Sequence, residues 1–120
     1  MLNYFVRIHH IEYKQGLNEI AALFVIWTRI GVPISECYKM FERFFIRFSL
    51  NFYYDKDFTG LEMFFRMISL VLRYHCPSLS RYLAVYDIEP QIYALSWLMT
   101  LFSSKLSMRM TYLLWEYLIA

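Results

Sequence analysis

The sequence predicts an all-α fold of several helices, and three observations carry that expectation. Apolar residues recur at the three- and four-residue intervals of amphipathic helices. The 120 residues hold only three glycines and three prolines. No Asn-Gly or Asp-Gly pair offers a hairpin turn between alternating apolar residues.

Taken in order, residues 2–10 read as a short helix with Leu2, Phe5, Val6 and His9 on one side. A second helix is expected from Leu17 to Ile30, burying Ile20, Leu23, Phe24 and Trp27, with Ala21 and Ala22 letting a neighbour approach. Gly31 ends it by allowing a left-handed cap. Pro33 starts a third helix, because a first-turn proline gives up no hydrogen bond. That helix carries Cys37, Met40, Phe41, Phe44, Phe45 and Phe48 inward, and Glu36, Lys39, Glu42, Arg43 and Arg47 on a solvated outer face. The stretch Tyr53-Tyr54-Asp55-Lys56-Asp57 breaks the pattern as a loop, and Thr59 is the expected N-cap of a helix from Gly60 to Cys76. Leu61, Phe64, Phe65, Ile68, Val71 and Leu72 supply its core side. Pro77 stops that helix and begins a short one with Leu79, Tyr82 and Leu83. Pro90 opens the next, where Ile92, Leu95, Leu98, Met99 and Phe102 surround Trp97. Ser107 caps the last, with Met110, Leu113, Leu114, Tyr117 and Leu118 apolar to its end. The apolar pattern is unfinished from Trp115 to Ala120, so the chain is expected to be cut from a larger unit.

Composition bounds the function. The hydrophobic share of 59% exceeds the roughly 45–50% typical of soluble proteins, counted on a slightly different residue set. Either a membrane protein or part of a larger core would account for it. A spanning helix needs about 20 mostly apolar residues, and the longest charge-free run, Pro90 to Ser104, is shorter and carries Gln91 and three serines. No transmembrane segment is expected, and Asn3, Arg7, His9 and His10 interrupt any signal-peptide core. Cys37 and Cys76 make neither a disulfide framework nor a zinc site, which points to a reducing compartment. A net charge of +2 argues neither for nor against nucleic acid, but no basic cluster interleaved with aromatics forms a stripe, so no nucleic-acid partner is expected.

The chemistry concentrates in Tyr13-Lys14-Gln15-Gly16-Leu17-Asn18-Glu19, at the foot of the apolar run from Ile20 to Trp27. Uncharged polar groups beside a glycine stand there where a partner could reach them. Local physics also allows a plain turn, with Asn18 capping the following helix through its side-chain oxygen. The adjacent His9 and His10 lack the i, i+4 spacing of zinc proteases, and His75-Cys76 has no second ligand pair, so no metal site is expected. Neither a nucleophile elbow nor a strand scaffold accompanies the serines.

The segment from Tyr13 to Ile20 resembles the Y-x-Q-G-M-N-D motif of the TBC domain found in Rab GTPase-activating proteins. Later pieces agree in order: Tyr74-His75-Cys76-Pro77 with Tyr82-Leu83, then Ile88-Glu89-Pro90 with Tyr93-Ala94 and Trp97, then Leu101-Phe102, then Leu114-Trp115-Glu116 where the family commonly has Trp-Asp. Leu17, Glu19 and Glu116 depart mildly from the pattern. The resemblance covers most of the chain and implies a partial TBC domain over residues 1–120, all-α and truncated at both ends. It implies acceleration of GTP hydrolysis on a Rab-family small GTPase, which itself carries the GTP and Mg²⁺, so no cofactor of the domain's own is expected. Gln15 falls on the family's glutamine finger, with Gly16 allowing close approach of backbone to the partner, Tyr13 supporting the loop by packing, and Asn18 completing the motif. The family's arginine finger lies in an upstream I-x-x-D-x-x-R motif that this chain does not contain; Arg7, eight positions before Gln15, has no Asp three positions before it. An alternative is a TBC-type trafficking adaptor without catalysis, since the wording around Tyr74 and Pro90 is similar to that branch. The resemblance implies a cytoplasmic place of action, with peripheral attachment to Golgi or endosomal membranes.

Overall fold

Helix follows helix through the computed structural model, which describes residues 1–54 and 58–120. Among the described residues there are seven α-helices, two 3₁₀ segments and no strand. The helices are α1 (Leu2–Ile8), α2 (Leu17–Val25), α3 (Ile34–Arg47), α4 (Thr59–His75), α5 (Pro77–Val85), α6 (Pro90–Met99) and α7 (Met108–Ile119). None of them is long and apolar enough to cross a membrane.

An aromatic core joins the first half of the chain. Phe5 of α1 is fully buried between Phe41 and Phe45 of α3, with ring centroids 4.8 and 4.9 Å away in edge-to-face geometry. Such pairs add roughly 0.5–1.5 kcal/mol to the burial of the rings themselves. The inward face of α3 is Cys37, Phe41, Phe44 and Phe45, with Pro33 one position before the helix rather than in its first turn. Its outer face is less uniformly solvated than its charges suggest. Glu36 and Lys39 form an exposed pair, but Glu42 accepts hydrogen bonds from His9 Nε2 (2.8 Å) and the Tyr38 hydroxyl (3.0 Å), tying α1 to α3. The His9 bond, then the Tyr38 bond, hold the Glu42 carboxyl below its ordinary value. Burial, then the bond to Glu42, push the Tyr38 phenol up to about 12.

The second helix is shorter than its apolar run. It tightens into a 3₁₀ segment at Ile26–Ile30 before the left-handed Gly31 closes it. Three residues per turn instead of 3.6 carries Trp27 out of phase with the core, so the ring lies at the surface and its indole N–H donates to the Tyr112 hydroxyl (3.0 Å).

Between α3 and α4, Leu50–Phe52 makes the other 3₁₀ segment. Tyr54, read as loop, is a core residue with 1% exposure; Asp55, Lys56 and Asp57 lie outside the described residues. Thr59 is the first residue of α4 and not its cap. Phe58 stands in the cap position with φ 55°, its ring 3.7 Å beneath the Lys14 ammonium. Helix α4 packs on α5 and α6 and buries Gly60, Leu61 and Phe65, with Gly60 against Phe52 of the 3₁₀ segment, while Val71, expected in the core, is exposed.

Pro77 and Pro90 open α5 and α6 as expected. In α6 the buried residues are Ala94, Leu98 and Met99, whereas Ile92 and Leu95 face outward. Apolar residues almost encircle this helix, so periodicity alone could not select its inner face. Nor does it reach Phe102. The Leu101 amide returns to the Leu98 carbonyl (3.2 Å) and the Phe102 amide to Trp97 (2.9 Å), with both Leu101 and Phe102 at positive φ. The Phe102 and Trp97 rings stack 5.8 Å apart. This is a Schellman closure with leucine where glycine is usual.

Ser107 caps α7 as expected, its Oγ accepting from the Met110 amide. The buried residues are then Thr111 and Trp115, not Met110, Leu113, Tyr117 and Leu118, which are exposed. Two side-chain bonds set this rotation: Trp115 Nε1 donates to the Leu101 carbonyl (2.8 Å), and the Tyr112 hydroxyl donates to the Leu23 carbonyl. The radius of gyration is 16.2 Å, above the roughly 14 Å of a compact chain this size.

Acid should weaken the α1–α3 tie. The folded Glu42 value lies below the unfolded one, so its contribution is present above about pH 4.5 and is lost as pH falls through the folded value. In Glu42→Gln the thermal midpoint is expected to fall less steeply with acid below that pH than in the wild type, measured by circular dichroism across a pH series.

Candidate functional site

The residues singled out by sequence meet at the foot of α2. Leu17–Val25 begins a helix because its apolar residues share a face, and the Gly16 carbonyl accepts the first amides, from Glu19 (3.0 Å) and Ile20 (3.2 Å). Gly16 has φ 109°, a conformation that L side chains rarely adopt, and a Cβ built on it would collide with the Met99 carbonyl oxygen. Its bare Cα is therefore required by the domain's own interior, where α6 ends. Asn18 does not cap α2: its Oδ1 reaches back to accept the Gly16 amide (3.1 Å) and so fixes the turn.

The same Met99 carbonyl receives the Tyr54 hydroxyl at 2.6 Å. A carbonyl in the last turn of a helix has no partner within the helix, and Tyr54 supplies one. Burial first, then the nearby charges of Glu19 and Tyr13, push the Tyr54 phenol up, so it stays a donor at neutral pH. On the other side of Gln15, Lys14 sits over the Phe58 ring, a cation–π contact worth on the order of 0.5–1 kcal/mol when exposed. The loop is thus held at both neighbours of Gln15. The Tyr13 ring is 54% exposed, so it faces solvent more than it packs.

Gln15 itself is exposed, and its amide makes no hydrogen bond among the described residues. Beside it opens a cleft of about 290 Å³. Glu19 lies on the α2 side, and Ser96, Thr100, Ser104 and Lys105 line the side formed by α6 and the turn after it. Thr100 Oγ1 donates to the Ser96 carbonyl (2.6 Å) and lies 2.9 Å from Ser104 Oγ, which keeps this hydroxyl edge in place. These four residues were not anticipated from sequence. The polar run Ser103-Ser104-Lys105 between two apolar helices was the available signal.

Such an arrangement offers a neutral amide, a row of hydroxyls and one ammonium on a concave edge. The amide can accept from a water and donate to an anionic oxygen at once, which a carboxylate cannot. Arg7 is not among the residues of this cleft. Among the described residues no three His, Cys, Asp or Glu side chains gather as metal ligands would.

Comparison with known proteins finds relatives that carry TBC domains. The Rab GTPase-activating protein tbc-11 of Caenorhabditis elegans is 26% identical over 102 residues, 85% of this chain and 10% of its own length. The human TBC domain-containing protein kinase-like protein is 23% identical over 109 residues, 91% of this chain and 12% of its own. Its Dictyostelium discoideum counterpart is 24% identical over 104 residues, 87% of this chain and 10% of its own. The chain therefore spans about a tenth of the length of these relatives. No solved structure matches it. The family profile described as Rab-GTPase-TBC domain matches residues 1–120, and with all of its residues so matched the chain belongs to that family.

Proposed function

We propose that this domain binds a Rab-family small GTPase and accelerates GTP hydrolysis there, with Gln15 as the group that orients the attacking water. The supporting observation is an exposed, uncommitted amide whose loop is anchored at Lys14 and Gly16 and opens on a cleft. A GTPase alone is slow because its water is poorly oriented and the charge that develops on the phosphates is poorly stabilised. The Gln15 carbonyl oxygen accepts a hydrogen bond from the water, which keeps its protons, and so aims its lone pair at the γ-phosphorus. The Gln15 amide donates to a phosphate oxygen as the bond to the leaving diphosphate breaks. GTP and Mg²⁺ belong to the partner. The hydroxyl edge and Lys105 then face the partner's surface beside its nucleotide. The place of action in this reading is the cytoplasmic side of Golgi or endosomal membranes.

A second reading, partner binding without catalysis, is favoured by the absence of arginine among the described residues lining the cleft. An arginine finger contributes roughly 10³–10⁵ in rate in such systems. The two readings differ in what Gln15 controls.

The Gly16 anchor generates one expectation about the loop itself. Gly16→Ala is strained both by its φ and by the Met99 carbonyl, and should lose about 2–4 kcal/mol of stability in urea denaturation. Tyr54→Phe leaves that carbonyl without its donor, at a cost of about 1–3 kcal/mol in the same measurement.

Single-turnover GTP hydrolysis across a panel of Rab proteins, with binding measured in parallel, tests the catalytic reading. Gln15→Ala should lower the acceleration about a hundredfold with binding retained. Equal acceleration by wild type and Gln15→Ala would remove Gln15 from catalysis. Binding with no acceleration by either protein is the outcome of the adaptor reading.

A further inference from the structure

The hydroxyl edge of the cleft has a direction. A hydroxyl has one proton to give and two lone pairs to offer, so the destination of the proton decides what the group can still bind. A carbonyl oxygen only accepts, and Thr100 Oγ1 lies 2.6 Å from that of Ser96, so the Thr100 proton is committed there. Thr100 Oγ1 is also 2.9 Å from Ser104 Oγ. With the Thr100 proton placed, the proton between these two oxygens is the one on Ser104. Ser103 Oγ gives its proton to the Thr100 carbonyl at 2.7 Å. The turn after α6 thus spends the protons of Thr100, Ser103 and Ser104 on itself. Its backbone holds them there, because the Lys105 and Leu106 amides both return to the Phe102 carbonyl, at 2.9 and 3.0 Å. Ser104 is exposed where it lines the cleft, and it shows the outside only lone pairs.

Ionised phosphate oxygens accept hydrogen bonds, and two acceptors repel. Of the side chains lining the cleft, the Gln15 amide and the Lys105 ammonium can meet an anion, and Ser104 cannot. Glu19 and Lys105 line the same cleft, so its charges offset and select neither a cation nor an anion. We propose that Ser104 Oγ is a specificity-determining contact, accepting a hydrogen bond from an uncharged N–H group on the GTPase protein rather than approaching its nucleotide. The inference rests on reading the domain as one that binds a Rab-family GTPase, and it holds for the catalytic and the adaptor forms alike. It orients the partner: the nucleotide phosphates lie toward Gln15 and the protein surface toward Ser104. A GTPase with a carbonyl or carboxylate at the matching place would be refused, since two acceptors would then face each other without a proton between them.

The test titrates each variant by isothermal calorimetry against the Rab protein that wild type binds most tightly, loaded with a non-hydrolysable GTP analogue. Ser104→Ala should bind about fivefold more weakly than wild type, the worth of one neutral hydrogen bond. Ser104→Asp keeps an acceptor and should bind more tightly than Ser104→Ala. Ser104→Lys offers only donors and should bind at least about tenfold more weakly than wild type. Charge beside the nucleotide would give the reverse order, because phosphates repel a carboxylate and attract an ammonium, so the two causes separate. Ser104 is exposed, and the thermal midpoint by circular dichroism is expected to be the same in all four proteins. Equal binding by wild type and Ser104→Ala, or tighter binding by Ser104→Lys than by Ser104→Asp, overturns the proposal while leaving Rab binding in place. Binding of no Rab protein by wild type overturns that reading and this proposal with it.

Discussion

One buried carbonyl, that of Met99, joins three distant parts of the chain. It lies where α6 runs out of internal amide donors for its own carbonyls, and it would be costly to leave unpaired in the core. Tyr54, from the segment before α4, donates to it, and Gly16, at the foot of α2, presses its bare Cα against it. The position of Gln15 is a consequence of this meeting: the residue next to a glycine wedged against a helix end has little freedom in its backbone while its side chain stays in solvent. The cleft beside it is made by the same helix end, since Met99 and Thr100 form its wall.

A second constraint acts on the far side of that wall. The chain turns sharply after Thr100 through two successive left-handed residues, neither of them glycine. Such a conformation costs on the order of 1–3 kcal/mol per residue and persists only where surroundings enforce it. Here the Trp115 indole bonds the Leu101 carbonyl and the Phe102 ring stacks on Trp97. Trp115 also lies 4.5 Å from Phe44 and stacks with Phe24. The turn that carries Ser104 and Lys105 is thereby coupled to the aromatic core of α2 and α3.

Much of the fold was legible because helix boundaries in this chain are often written in proline and glycine. Pro77 and Pro90 open α5 and α6, and Gly31 closes the 3₁₀ extension of α2. Where an end is closed by His10 or Leu101 at positive φ, no residue type announced it, and the expected helices ran past their true ends. Inner faces were legible in α3, where charge and phenylalanine alternate at a helical period. They were illegible in α6 and α7, which are apolar nearly all round; there the buried side follows from bonds made by Trp115 and Tyr112 to distant carbonyls. Glu42 looked like one more surface charge because its partner, His9, is 33 positions away. The site divides in the same manner. Gln15, Gly16 and Asn18 form a contiguous motif, whereas the hydroxyl edge of Ser96, Thr100 and Ser104 is brought to it only by folding.

The burial of Gly16 separates two letters of the motif that sequence reading treats together. Its glycine answers to the packing of the domain itself, and its glutamine answers to whatever lies outside. A relative whose residue 15 met no partner would be free to drift at that position while still being held to glycine at position 16. Divergence at the first with constancy at the second would then be the mark of a scaffold kept for its packing alone.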